Sequence, residues 1–399
     1  MVVGQLFSQV FHSIRNALRK GDIILLLMCM LLTAFGCLMI SSATQVYGSG
    51  RYVVIQIAAA VLGLLAFAVT STIDAEFFSE HRTAMVLFNM FLLFLLIPFG
   101  TDNGTGNKSW LNIPLLPFDI QPAEICKIFY ILIMASVMSA NQNRLSSIPS
   151  IFQMVFHLAL VVGVNMVLSR DAGVSLIFVF IFIGMAFAGG VNMIWFLVAG
   201  GGIAALLPFI YNYVMDDYQR LRIQVLFDPD LDPLGTGARY HTMNSLRSLT
   251  GGGVFGQGLF QGHRTNTYGA LYAQHTDYIF SAIGEELGYV GCFLVLAALT
   301  CIIARCIWVG NRSSDYMRRL ICYGVASAMI FQIVVNTGMC MGVMPVIGLT
   351  LPFISYGGSS LVSLYAMMGL VSGVYARPSP ASHELYIRAP FDLRSSRYQ

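Results

Sequence analysis

The stretch Ile23-Ile24-Leu25-Leu26-Leu27-Met28-Cys29-Met30-Leu31-Leu32-Thr33-Ala34-Phe35-Gly36-Cys37-Leu38-Met39-Ile40-Ser41 carries no charged residue. A helix of roughly 20 apolar residues is what about 30 Å of hydrocarbon requires, so the run is predicted to cross a bilayer. Arg15, Arg19 and Lys20 precede it with the polarity of a signal sequence. It has no A-x-A cleavage pattern and many similar runs follow, so it is read as a retained first span. Working outward, comparable runs fall near 52–71, 84–100, 123–139, 150–168, 172–190, 193–213, 278–304, 320–338 and 358–376. The predicted fold class is an all-α membrane protein, a polytopic bundle of about ten transmembrane helices with a large extracellular loop between spans 7 and 8. At Ser169, Arg170 and Asp171 either a tight hairpin or one broken helix would serve.

Composition agrees. Of 399 residues 57% are hydrophobic and 10% charged, against about a quarter charged in soluble domains. The net charge of +3 is small and no basic tract suggests nucleic acid. The eight cysteines lie in or beside apolar stretches without metal-ligand spacing and read as small core residues. The expected organisation is a cytoplasmic segment at 1–22, a membrane domain at 23–376 containing the outer loop 214–276, and a disordered cytoplasmic tail at 377–399 drawn to anionic lipid.

With a cytoplasmic N-terminus, the inner segments hold Arg15, Arg19, Lys20, Arg82, Arg144, Arg305, Arg312, Arg318, Arg319, Arg377, Arg388, Arg394 and Arg397, while the short outer loops hold Arg51, Lys108 and Arg170. Thirteen cations against three is a strong positive-inside bias. Both termini are therefore expected in the cytoplasm, and the polar segments 101–121 and 214–276 outside.

Charges inside or beside spans are expensive, so they are the first candidates for chemistry. Glu124 and Lys127 sit three apart behind Pro122, where they could form a structural ion pair at a helix start or face an anionic ligand. Asp171 could cap the sixth span, and Asp277 the span that starts at Tyr278. Glu285 and Glu286, flanked by Gly284 and Gly288, are read as holding their helix against a neighbour. In the long loop Arg220, Arg222, Arg239 and Arg247 alternate with aspartates; arginine forks suit a pyrophosphate, and each could equally pair within the loop. Gly251, Gly252, Gly253, Gly256 and Gly258 allow positive φ and close backbone approach, a weak phosphate signal outside a strand-to-helix context.

Several strings occur in order along the chain: Gln121-Pro122-Ala123-Glu124 with Lys127, Tyr218-Gln219-Arg220-Leu221-Arg222-Ile223, Asp232-Pro233-Leu234-Gly235, His275-Thr276-Asp277-Tyr278-Ile279-Phe280 through Gly288, and Leu351-Pro352-Phe353-Ile354-Ser355-Tyr356-Gly357-Gly358-Ser359-Ser360. Together they resemble the shape, elongation, division and sporulation family, which includes the rod-shape, division and spore-cortex proteins. The resemblance implies a peptidoglycan glycosyltransferase in the bacterial cytoplasmic membrane. It would polymerise lipid II at the outer face, release undecaprenyl pyrophosphate and work with a class B penicillin-binding protein. It places Asp277 on the family's catalytic aspartate, makes Glu124, Lys127 and Asp171 cavity charges, and adds Arg220, Arg222 and His275 as substrate-binding candidates. The chain departs from the family pattern at Ile55, Ser109 and the Ala273-Gln274 pair.

An inverting transfer needs one general base, here Asp277, and cations for the leaving pyrophosphate. The sequence shows no dedicated metal cage; a divalent cation such as magnesium or manganese would bridge phosphate oxygens. The competing classes are a lipid flippase or other transporter, and a non-catalytic scaffold of the division or elongation machinery.

Overall fold

A computed structural model describes residues 20–377, apart from 49, 102–107, 115, 117, 216, 234 and 238. The segment before Lys20, the tail after Arg377 and Asp216 lie outside the described residues. With no water in hydrocarbon to take up backbone N–H and C=O groups, each apolar run satisfies them within itself as a helix. Ten helices among the described residues are long and apolar enough to cross a membrane.

They are α1 (Ile23–Ala43), α2 (Arg51–Thr72), α3 (Arg82–Phe99), α4 (Pro122–Ala140), α5 (Ile148–Ser169), α6 (Ala172–Gly189) and α7 (Met193–Tyr213), and, beyond the loop helices α8 (Asp217–Phe227) and α9 (Tyr240–Gly251), α10 (Ile279–Arg312), α11 (Tyr316–Cys340) and α12 (Gly358–Ala376). Between α5 and α6 the chain makes the tight hairpin, with Arg170 left-handed at φ 54. Two short strands, Gly100–Thr101 and Trp110–Leu111, pair antiparallel beyond α3.

Helices α4, α11 and α12 form the buried centre, whereas no residue in the apolar window of α7 is buried. Helix α12 lies along α2, α10 packs on α11 and α1, and α6 packs on α11. Thr70 Oγ1 donates to Ala366 O at 2.9 Å across the α2–α12 contact, where a Cβ on Gly369 would meet Phe67 O at 2.5 Å. Small residues at such contacts let helix backbones approach, which is how packing is gained where no hydrophobic effect acts between spans.

Helix α10 breaks at Gly288 (φ 67, ψ −168). The glycine-rich loop after α9 docks into the break: Gln257 N donates to Glu285 O at 2.9 Å, Gly258 N to Glu286 O at 3.0 Å and Tyr289 N to Gly253 O at 3.0 Å. The glycines do bring backbone close, to α10. Glu286 accepts from Ser42 Oγ of α1 at 2.6 Å and from Phe260 N at 3.1 Å, and Glu285 from Arg264 N at 2.5 Å and Thr265 Oγ1 at 3.2 Å. Both carboxylates are fully buried. They bind α10 to the loop and to α1, the structural role expected of them.

Candidate active site

At the end of the bundle that carries the long loop lies a cavity of about 950 Å³. Its walls come from the starts of five helices: Arg51, Tyr52 and Ile55 of α2, Gln121 and Glu124 of α4, Asp171 and Val174 of α6, Thr276, Asp277 and Tyr278 of α10, and Gly357 to Ser360 of α12. Helix starts carry unbonded N–H groups and the positive end of the dipole, so five directed at one space favour an anion there. Arg222 of α8 adds a cation; it also donates to Val346 O at 3.1 Å.

Asp277 sits on the cavity wall, and its backbone is held from all sides. Thr276 N and Tyr278 N donate to the carbonyl of left-handed Ala273 (φ 46) at 3.1 and 3.2 Å. Ser355 Oγ donates to Thr276 O at 2.6 Å, Tyr356 N to His275 O at 2.8 Å and Asn336 Nδ2 to Asp277 O at 2.8 Å. The Ser355–Tyr356 loop is in turn gripped by fully buried Gln56, which donates to Ser355 O at 3.1 Å and accepts from Gly357 N at 3.2 Å. Two strings far apart in the sequence thus form one clamp around the carboxylate.

Asp277 does not cap α10: the residue at the cap is Tyr278, without a side-chain cap bond. No described residue hydrogen-bonds to the Asp277 carboxylate. Burial, and then the charge of Asp171, push its pKa up to about 6. Asp171 does cap α6, accepting from Val174 N at 3.1 Å, and also accepts from Gln121 Nε2 at 3.0 Å while lining the cavity. Burial raises its pKa too, with the charge of Glu124 adding to the effect.

Among the other residues singled out by sequence, Glu124 lines the cavity and accepts from Ser363 Oγ at 2.8 Å. Lys127 is fully buried, 2.7 Å from Glu124 Oε2, and is not on the cavity wall. The side chain expected to face the ligand lies beneath the surface because Glu124, one turn nearer the helix start, takes that position. Arg220 also lies off the wall: it donates to Asn212 O at 3.0 Å and pairs with Asp217 at 3.4 Å. His275 packs among aromatic rings, 4.7 Å from Tyr52, 5.6 Å from Tyr356 and 5.9 Å from Tyr47, and burial lowers its pKa to about 4. Gln274 is buried and donates to Ala43 O at 2.6 Å, and Ser109, also buried, donates to Ser169 O at 3.4 Å.

The cavity also recruits Trp110, Asp119, His241, Tyr272 and Gln332, which sequence reasoning did not select. His241 has its pKa lowered by burial and then by Arg222. They come from three segments, the outer loops 101–121 and 214–276 and helix α11, and the only local signal was nearness to a string already noted, as Asp119 precedes Gln121-Pro122. Among the described residues no three His, Cys, Asp or Glu side chains converge as metal ligands.

The sequence model of the FtsW, RodA and SpoVE group, described as "Cell cycle protein", matches residues 22–379. The chain belongs to this family. Among similar curated proteins are the probable peptidoglycan glycosyltransferase FtsW of Trichlorobacter lovleyi, 33% identical over 88% of this chain and 92% of the relative, and the peptidoglycan glycosyltransferase MrdB of Escherichia coli, 31% identical over 89% and 93%. Among solved structures, a chain from work on the structural coordination of polymerization and crosslinking by a peptidoglycan synthase complex superposes with a TM-score of 0.75 at 27% identity, covering 89% of this chain and 97% of that one. The rod shape determining protein RodA of Thermus thermophilus superposes with a TM-score of 0.65 at 25% identity, covering 89% and 96%. Family membership and the ten apolar helices make this a multi-pass membrane protein.

Proposed function

We propose that this chain is a peptidoglycan glycosyltransferase that polymerises lipid II at the outer face of the cytoplasmic membrane. The observation that carries the reading is Asp277: a carboxylate with no hydrogen-bond partner among the described residues, on a clamped backbone, in a cavity built from helix starts, where burial pushes its pKa up to about 6. The names of the relatives agree with it.

A general base works best with a pKa near the operating pH and an open path to the proton it takes. Asp277 removes the proton from the acceptor sugar hydroxyl as that oxygen bonds to the anomeric carbon of the donor. The bond from that carbon to the pyrophosphate oxygen breaks, and the electron pair leaves with undecaprenyl pyrophosphate. Arg222, Arg51 and the five helix starts supply the positive potential that the departing anion needs. Among the described residues no three His, Cys, Asp or Glu side chains form a metal cage; a magnesium or manganese ion arriving with the donor would add positive charge for the leaving pyrophosphate, and no step here depends on it.

The positive-inside bias supports a loop-bearing end outside and both termini in the cytoplasm. The neighbour taken from a complex that couples polymerization to crosslinking supports a class B penicillin-binding protein as the partner. The reading is tested by giving the purified chain lipid II alone, then with that transpeptidase. Glycan polymer in either arm supports it; none in both, from folded protein, contradicts it.

A further inference from the structure

In the turn Gly357-Gly358-Ser359-Ser360, which opens the 19-residue helix α12, the clamp uses Gly357 N alone, and the three residues after it are explained by neither the base nor its clamp. All four residues line the cavity. The first intrahelical bond of α12 runs from Leu361 N to Gly357 O, so the amides of Gly358, Ser359 and Ser360 have no carbonyl a turn earlier to receive them. Ser359 is 6% exposed, and its Oγ is buried with no hydrogen-bond partner among the described residues. A hydroxyl without a partner among the described residues, beside amides that no intrahelical carbonyl receives, asks for an acceptor. Its neighbour differs: Ser360 Oγ already contacts Thr350 Oγ1 at 3.2 Å.

The turn is also held rigidly. A Cβ on Gly358 would run into the ring of Phe118. Gly357 N is taken by Gln56, the residue that also grips Ser355, and Ser355 holds Thr276 beside the base. Base and turn are therefore positioned by one set of bonds.

We propose that the first turn of α12, through the backbone amides of Gly358, Ser359 and Ser360 and the hydroxyl of Ser359, is the seat of the pyrophosphate group of the lipid-linked donor. The inference rests on the glycosyltransferase reading and names within it the group that receives the leaving anion. When the bond from the anomeric carbon to the pyrophosphate oxygen breaks, the electron pair stays on that oxygen, and the amides and hydroxyl donate to the charge it leaves. The proton removed from the acceptor stays on Asp277, so no further reactant is needed.

The test uses the full chain in lipid nanodiscs and inorganic pyrophosphate as the probe, with binding followed by calorimetry and fold by thermal melting. The parent should bind pyrophosphate. Ser359→Ala should weaken binding roughly 10-fold or more, the ordinary effect of losing a hydrogen bond to a charged group. Ser359→Asp should abolish it by repulsion, and Ser359→Thr, which restores the hydroxyl, should keep it. A parent that does not bind pyrophosphate, or folded Ser359→Ala and Ser359→Asp proteins that bind it like the parent, would overturn the proposal; the latter would put the anion on the arginines instead. Lipid II polymerisation by the same proteins separates this proposal from the reading beneath it. Ser359-dependent binding in a parent that makes no polymer keeps the anion seat and sinks the polymerase, whereas polymer from a parent whose pyrophosphate binding ignores Ser359 does the reverse.

Discussion

A carboxylate that takes a proton near neutral pH must be lifted from its ordinary range, and burial, followed by the charge of Asp171, lifts Asp277 to about 6. The base form exists above that value, so kcat/KM for polymerisation should rise with pH through about 6 and then level. Asp171→Asn keeps the cap on α6 and removes a like charge, so the rising limb should move to lower pH; a limb that stays in place would show that Asp171 does not act on the base. Lys127 calls for a different expectation. It is fully buried against Glu124, and breaking a buried ion pair from one side typically costs about 3–5 kcal/mol because the remaining charge is left uncompensated. Lys127→Ala should thus destabilise the fold, and adding Glu124→Gln should recover much of the loss in thermal melting. No recovery would mean that Lys127 matters for something other than its pair.

At the scale of elements, the break in α10 is where sequence and structure illuminate each other. The glycine run after α9 is visible in the sequence, but its partner is not, because Gly256 meets Glu286 only once the loop folds back. Gly256 has φ +81, and a Cβ there would overlap the Glu286 carbonyl; Gly253 has φ +57 with nothing within 4 Å. Gly253→Ala should therefore cost only the strain of a left-handed alanine, roughly 1–2 kcal/mol. Gly256→Ala should cost clearly more and loosen the loop, which protease sensitivity of residues 251–265 would report. Equal effects would show that the contact with α10 does not hold the loop. The ten spans were legible because hydrocarbon demands long apolar helices, most of them to within two residues, as with 123–139 against Pro122–Ala140, although α10 runs on to Arg312 past the expected 304 and α11 begins four residues before the expected 320. The string around Asp277 pointed to a residue that lies on the cavity wall. The cavity partners Asp119, His241 and Gln332 were not, since three segments far apart in the sequence meet only after packing. Of the two readings left open for Lys127, the ion pair with Glu124 is present; helical spacing tells that the two can meet, but not which of them faces the cavity.

At the scale of the whole molecule, the account requires the cavity to open outside the cell, with most cations near span ends on the other side. Thr267 is an exposed loop residue. Thr267→Cys, in a chain whose native cysteines are replaced, should react with a membrane-impermeant maleimide added to intact cells, and labelling only after lysis would invert the topology. The central claim is that Asp277 takes the proton in glycan polymerisation, and the most direct test is the Asp277→Asn protein. The residue does not cap α10, and its ionisation opposes folding as pH rises from 3.8 towards about 6. The variant should therefore insert and melt at or above the parent at pH 7.5. Loss of a general base typically lowers rate by roughly 10²- to 10⁴-fold. Polymer formed from lipid II by purified Asp277→Asn should fall by that amount at equal folded protein; polymerisation within a few-fold of an active parent would contradict the account.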